Sequence, residues 1–302
     1  MKPDAIAAAD SRARTRPNSK LNDLFVLTKV RLNALVVATT AGGYYMAAPA
    51  SVQPLPLIVA CLGTALVASG AAAINQVNER DLDKLMLRTQ RRPVAEGRMS
   101  AGEGLGIAIA LSAVGLAILA FATNLLAAGI ALATLLTYVV VYTPMKRYSS
   151  LATVVGAVPG ALPPLIGWAA ARGSIAGIAP WSLFLIMFIW QLPHFLAIAW
   201  MYRDDYARAG LPMLPVVDKR GAVTGRQAAL WAAMLIPFSM LPGALRMTTP
   251  AYPVGAIVLG LGLLLLAVRF ALDRSHVNAR ALFLGSITYL PLLWALMCLA
   301  RL

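Results

Sequence analysis

From Leu32 to Asn78 no side chain carries a charge, and the same holds from Gly104 to Met145. Runs of that kind restrict a chain more than any motif does. A helix crosses the hydrocarbon core of a bilayer with about 20 apolar residues. The first run therefore holds two spans, hinged at Pro49-Ala-Ser-Val-Gln-Pro54, and the second holds two more, broken near Asn124. Tyr148 to Ala171 supplies a fifth span and Ile178 to Met201 a sixth. Three further spans lie between Arg226 and Arg246, Arg246 and Arg269, and Arg280 and Arg301. The expected fold is all-α, a polytopic bundle of nine transmembrane helices forming one domain over residues 24–302. Residues 1–23 are polar, lack an apolar core, and are expected to form a disordered cytoplasmic tail rather than a secretory signal.

The charges sort by side. The chain has 26 Lys and Arg against 12 Asp and Glu, a net +14 that could suggest nucleic acid. Placement argues otherwise. With nine spans, 23 of the 26 cations and all 12 acids fall on the N-terminal side, and only Arg172, Arg246 and Arg301 lie opposite. Such a bias sets topology and puts the N-terminus in the cytoplasm. Chemistry that uses charge belongs to that face. Cys61 and Cys298 lie inside apolar runs without a CxxC partner, as small buried hydrophobes do.

Where the second span meets its loop the sequence reads Asn75-Gln-Val-Asn-Glu79-Arg-Asp81-Leu-Asp83. Residues 75, 79 and 83 recur every four positions, so an amide and two carboxylates share a helix face. Acids at the mouth of a membrane helix are costly unless a cation neutralises them. Hard oxygen ligands at that spacing suit Mg²⁺. Asp81 falls off that face. Downstream, Arg88, Arg91 and Arg92 offer guanidinium forks for phosphate oxygens, or serve as an ordinary topological loop. After the sixth span, Asp204 and Asp205 repeat the acidic pattern between Tyr202 and Tyr206. His194, eight residues before Tyr202, sits ~12 Å into the bilayer on a regular helix. A histidine at that depth is either a functional group or a helix-to-helix hydrogen bond. Lys146 and Arg147, after Tyr142-Thr-Pro-Met, and Arg31, which starts the first span, read equally as topological anchors.

Together these segments resemble the UbiA superfamily of intramembrane prenyltransferases. The acid motif continues as Met86-x-Arg-Thr-x-x-Arg-Pro93 and Gly97-x-x-Ser100. Tyr142-Thr-x-x-Lys-Arg147 and Gly156-Ala-x-Pro-Gly-Ala-Leu-Pro-Pro-x-x-Gly167 follow. Trp190-Gln-Leu-Pro-His-Phe195 and Asp205-Tyr-x-x-Ala-Gly-Leu-Pro-Met-Leu-Pro215 point more narrowly to the haem-farnesylating branch. Two positions depart from the pattern: Glu79 stands where the family usually has Asp, and Asp204 where relatives often carry Lys.

The resemblance implies Mg²⁺ on Asn75, Glu79, Asp83 and Asp205, with Asp83, Asp205 and Lys146 catalytic. It implies that Arg31, Arg88, Arg92 and Arg147, with Tyr142, Tyr202 and Tyr206, bind the diphosphate substrate, and that His194 lies near haem. The implied reaction joins farnesyl diphosphate, haem B and water to give haem O and diphosphate, in a bacterial inner membrane more readily than a mitochondrial one. The next haem-modifying enzyme is the implied protein partner, and nucleic acid is not one. Two alternatives remain on sequence alone: a prenyltransferase for an aromatic or quinone-precursor acceptor, and a secondary transporter of an anionic cargo. Crowding of the acids on one face runs against the latter, because transport sites lie near the midplane.

Overall fold

The computed structural model describes residues 19–49 and 52–302. Among these residues the chain is helical throughout, with one isolated β-bridge between Thr248 and Arg301. Ser19 caps α1 (Lys20–Thr28), accepting from the amide of Asn22 at 3.2 Å. Ordered helix thus begins before residue 24; residues 1–18 of the expected tail lie outside the described residues. Lys29 adopts a left-handed conformation, φ 49°, and bends α1 by 46° from α2 (Val30–Ala47).

Among the described residues, eight helical stretches are long and apolar enough to span a membrane, and the bent α1–α2 pair makes a ninth. They run as α3 (Pro54–Asn78), α6 (Ala101–Ala122), α7 (Leu125–Leu136) with its continuation to Met145, and the broken pair α9 (Ala152–Ala161) and α10 (Pro163–Arg172). The later spans are α11 (Ile178–Met201), α14 (Ala222–Ser239) extended by α15 (Leu241–Ala244), α16 (Ala251–Leu272) and α17 (His276–Leu299). Two short helices, α4 (Arg80–Asp83) and α5 (Pro93–Glu96), lie in the loop after α3. Another two, α12 (Arg203–Arg208) and α13 (Leu214–Val217), lie in the loop after α11. A single-turn α8 (Thr143–Met145) follows the seventh helix.

The breaks have local causes. Asn124 accepts from the amide of Ala127 at 2.9 Å, capping α7, and donates its Nδ2 to the carbonyl of Ala169 at 2.8 Å. Ser100 and Glu103 form a reciprocal capping box that starts α6. Pro163 and Pro164 open α10 at its first turn, where a missing N–H costs nothing.

What holds the helices together is small residues and outward leucines. On α16, Val254, Val258, Leu261 and Leu265 are exposed, while Tyr252, Ala256, Leu263, Ala267 and Phe270 are buried. A helix apolar on both faces belongs in lipid, not in water. Glycines set the closest crossings. A β-carbon on Gly167 would lie 1.9 Å from the carbonyl oxygen of Thr40, and one on Gly43 would lie 2.1 Å from that of Pro164. Helices α2 and α10 therefore meet backbone to backbone, as small residues in membranes allow. Likewise α3 and α6 meet at Gly63, Gly70, Gly115 and Ser112.

Two clusters form the core. One gathers α11, α14, α16 and α17 around Trp190, Tyr252, Phe270 and Tyr289. The other gathers α3, α6, α7 and α10 around Val67, Leu119, Leu135 and Leu165. α2 contacts α3, α10 and α17, so the first and last spans adjoin. At the sparsely charged end, Arg172 and Arg301 donate to the carbonyls of Ala47 and Ala48, where α2 ends. Cations suit a helix C-terminus. The acids collect at the other end.

Candidate active site

Glu79 ends α3. Its backbone, φ −100° and ψ 6°, leaves the helix before α4 resumes. Asn75, Glu79 and Asp83 nevertheless remain on the buried side, each no more than 5% exposed. Each meets different partners. Asn75 Oδ1 accepts from Lys29 Nζ at 3.2 Å and from the Tyr138 hydroxyl at 3.4 Å, while its Nδ2 is buried without a hydrogen bond among the described residues. Glu79 pairs with Lys146. Both carboxylate oxygens of Asp83 accept from Nη1 of Arg92 at 2.8 Å. Burial alone pushes the Glu79 carboxyl up, but the Lys146 ammonium, with help from Lys29, outweighs it and holds the group below its ordinary value.

The loop after α11 folds onto the loop after α3. Asp205, 8% exposed, accepts from the amides of Leu87 at 3.3 Å and Arg88 at 3.4 Å, and pairs with Arg208. Beneath these polar contacts Met86, Ala209, Leu211 and Met213 pack together, with Leu82 and Tyr206 against them. The guanidinium of Arg88 stacks 5.0 Å from the Tyr202 ring centroid. The two acidic loops therefore share one end of the bundle and touch.

The third wall is a π-helical turn, Thr137–Tyr142. Pro144 cannot donate to an α-helical partner, and just before it the carbonyl of Tyr138 accepts both from the amide of Thr143, five residues on, and from the Thr143 hydroxyl at 2.8 Å. π turns recur at functional sites because they re-aim side chains. Here the rings of Tyr138 and Tyr142 lie 5.3 Å apart, tilted by 37°, and Lys146 Nζ stands 5.2 Å from the Tyr142 ring centroid. Gly156 leaves room for that ring: a β-carbon there would come within 2.5 Å of it.

The remaining predicted residues are placed elsewhere. Arg31 is exposed and makes no ion pair among the described residues. Arg147 donates to the carbonyl of Asn78 at 3.2 Å, closing the end of α3. Asp81 is exposed beside Lys84 at 3.2 Å, and the Asp204 side chain is 90% exposed. His194 lies on α11 against α17, hydrogen-bonded to Ser286. Lys29 and Tyr138 reach Asn75 although neither was singled out from sequence. Their signals were faint: Lys29 sits in Thr28-Lys-Val-Arg31, and Tyr138 lies four residues before Tyr142.

Asn75, Glu79, Asp83 and Asp205 offer the oxygen donors that a hard divalent cation prefers, so the set fits Mg²⁺ in kind. Convergence on one shared cation is not what the structure shows. Among the described residues no three acids stand close enough to share an ion. Each buried carboxylate is instead neutralised by its own side-chain cation: Lys146, Arg92 or Arg208. That pairing is the favourable state for a carboxylate removed from water.

The profile of the UbiA prenyltransferase family matches residues 35–296. The chain belongs to this family. A protoheme IX farnesyltransferase of Solibacter usitatus is 46% identical over 290 residues, covering 93% of this UbiA-family chain and 99% of its own length. Another from Koribacter versatilis is 43% identical over 293 residues, covering 94% of each chain. Solved structures share the fold at low identity. A digeranylgeranylglyceryl phosphate synthase superposes with TM-score 0.77 at 16% identity, over 93% of this chain and 98% of its own. A UbiA homolog from Archaeoglobus fulgidus bound to GPP and Mg²⁺ gives 0.61 at 17% identity, over 91% and 99%. The chain is a multi-pass integral membrane protein of this family.

Proposed function

We propose that this protein transfers the farnesyl group of farnesyl diphosphate to a vinyl group of haem B, with addition of water, giving haem O and diphosphate. The observation that carries the reading is the meeting of two acidic, arginine-bearing loops at one end of an intramembrane bundle. Relatives named protoheme IX farnesyltransferase at 40–46% identity supply the acceptor. The charged end faces the cytoplasm of a bacterial inner membrane, consistent with its cations.

The chemistry needs a leaving group stabilised and a carbocation protected. Once released from Lys146, Arg92 and Arg208, the carboxylates of Glu79, Asp83 and Asp205 would regroup with Asn75 to hold Mg²⁺, which when bound supplies positive charge to the departing diphosphate. Lys146, Arg88, Arg92 and Arg208 line the same region and outnumber the buried carboxylates Glu79, Asp83 and Asp205, with Lys29 beside Asn75. That surplus attracts a diphosphate and neutralises the charge that grows on it. Lys146 and Arg92 then exchange a carboxylate for a phosphate oxygen. Tyr138 and Tyr142 present ring faces that tolerate an allylic cation. Removal from bulk water keeps that cation from premature hydrolysis. The vinyl carbon of the haem closes the new carbon–carbon bond, and water then adds at the neighbouring carbon.

The test is reconstitution. Purified protein with farnesyl diphosphate, haem B and Mg²⁺ forms farnesylated hydroxyethyl haem, detected by mass spectrometry. EDTA stops the reaction and Mg²⁺ restores it. Prenylation of an aromatic acid in place of haem, or indifference to chelation, refutes the respective part.

A further inference from the structure

His194 is gripped by contacts that the diphosphate chemistry does not use. Its Nδ1 lies 2.8 Å from Ser286 Oγ on α17. Its ring stacks against two others, Trp190 at 4.9 Å and 20° and Phe283 at 5.2 Å and 26°. Trp190 Nε1 in turn donates to the carbonyl of Ser286 at 2.8 Å. Ring plane and rotamer are thereby fixed from two helices. Ser286 itself is fully buried.

The direction of the His194–Ser286 bond follows from counting protons. The Ser286 hydroxyl also lies 2.6 Å from the carbonyl of Phe283, one turn back on its own helix. A carbonyl oxygen only accepts, so that contact takes the single hydroxyl proton. Toward His194 the same oxygen can then only accept. Nδ1 must carry the imidazole proton, and a neutral imidazole has only one. Nε2 is left with a bare lone pair, and it makes no hydrogen bond among the described residues. Unlike the fully enclosed unpartnered atoms Asn75 Nδ2 and Trp294 Nε1, that nitrogen is not sealed by protein.

We propose that Ser286 is a positioning residue that fixes His194 as its Nδ1-protonated tautomer and so presents the Nε2 lone pair as an axial ligand for the iron of the haem substrate. This rests on the haem reading above. Histidine ligands are commonly set this way, the far nitrogen donating to a partner that fixes tautomer and orientation. Coordination would hold the porphyrin at one depth in the bundle while its vinyl edge reacts at the charged end.

The chain contains two histidines, so ¹⁵N-histidine labelling of the full-length protein in nanodiscs, in a His276→Gln background, leaves one imidazole to observe. At neutral pH the expected spectrum has a protonated Nδ1 and an unprotonated Nε2. Ser286→Ala should give an exchange-averaged pair, and Ser286→Thr, which keeps the hydroxyl, should restore the fixed form. A wild-type spectrum with the proton on Nε2 overturns the proposal. Haem B alone is then titrated without farnesyl diphosphate. Wild type should show a histidine-ligated Soret band and electron paramagnetic resonance signal that His194→Ala lacks. Ser286→Ala should weaken haem binding by about 10-fold or more, the range for loss of a ligand's hydrogen-bond partner. Wild type and His194→Ala sharing one haem spectrum overturns the iron assignment, even with product still formed. Absence of farnesylated haem in the reconstitution instead removes the reading beneath it.

Discussion

Replacing Asp83 by Asn separates what this carboxylate does for the fold from what it does for the reaction. Asp83 is fully buried, and both its oxygens accept from Arg92 at 2.8 Å. Asn keeps one acceptor oxygen, so one hydrogen bond can persist in neutral form. Lost is one charge-assisted bond, worth about 1.5–3 kcal/mol. The Arg92 side chain is 18% exposed, so its charge keeps some access to water. The full penalty of about 3–5 kcal/mol for stripping a buried pair is therefore not reached. A stability loss of about 2 kcal/mol is expected in detergent or nanodisc denaturation. Turnover should fall further, by about 10²–10³-fold or more, the scale of removing one preorganised electrostatic contact to a transition state. The decisive variant is the double one, Asp83→Asn with Arg92→Gln. It restores a neutral hydrogen-bonded pair, so stability should recover in part while turnover does not. Both quantities are read on the same preparation, by thermal denaturation and by farnesylated-haem formation. Recovery of turnover together with stability would mean that Asp83 serves only to pair Arg92, and the metal assignment would fall.

Lys29→Met should lower turnover by at least about 10-fold through the loss of a half-buried amine hydrogen-bonded to Asn75, whereas Arg31→Met, on an exposed residue, should change it less than about 2-fold. Equal effects of the two would show that the bend at Lys29 does not select between them. Lys146→Met removes the charge that holds the Glu79 carboxyl below its ordinary value and leaves burial, which acts the opposite way. A lowered carboxyl contributes stability above its unfolded value that is lost as pH falls through the folded one. In the variant the carboxyl is raised instead, so its buried charge costs stability near neutral pH and protonation relieves that cost. The stability deficit relative to wild type should therefore shrink as the solution is acidified, and a deficit independent of pH would contradict the pairing. Gly167→Ala should force α2 from α10, because the new carbon would meet the Thr40 carbonyl oxygen at 1.9 Å. A cost of about 1–3 kcal/mol or more is expected, visible as reduced yield of monodisperse protein; normal yield and stability would show that the crossing can widen freely.

Hydropathy and charge bias are sums over local residues, so the sequence by itself determined nine spans, the shared side of the two acidic loops, and the break near Asn124. The acidic face was legible for the same reason: a spacing of four places Asn75, Glu79 and Asp83 together on any helix. Asp205 over Asp204 was legible only through the motif that continues from it. Which cation meets which acid was decided by tertiary structure, because it depends on which helices adjoin. Lys29 rather than Arg31 reaches Asn75 because the chain bends at a left-handed residue. Lys146 rather than Arg147 pairs with Glu79, while its neighbour closes the end of α3. Tyr138 joins the site through a π turn that Pro144 permits. The partner of His194 lies 92 residues away on the last span. No local pattern encodes such a pair; it exists only once α11 and α17 have packed.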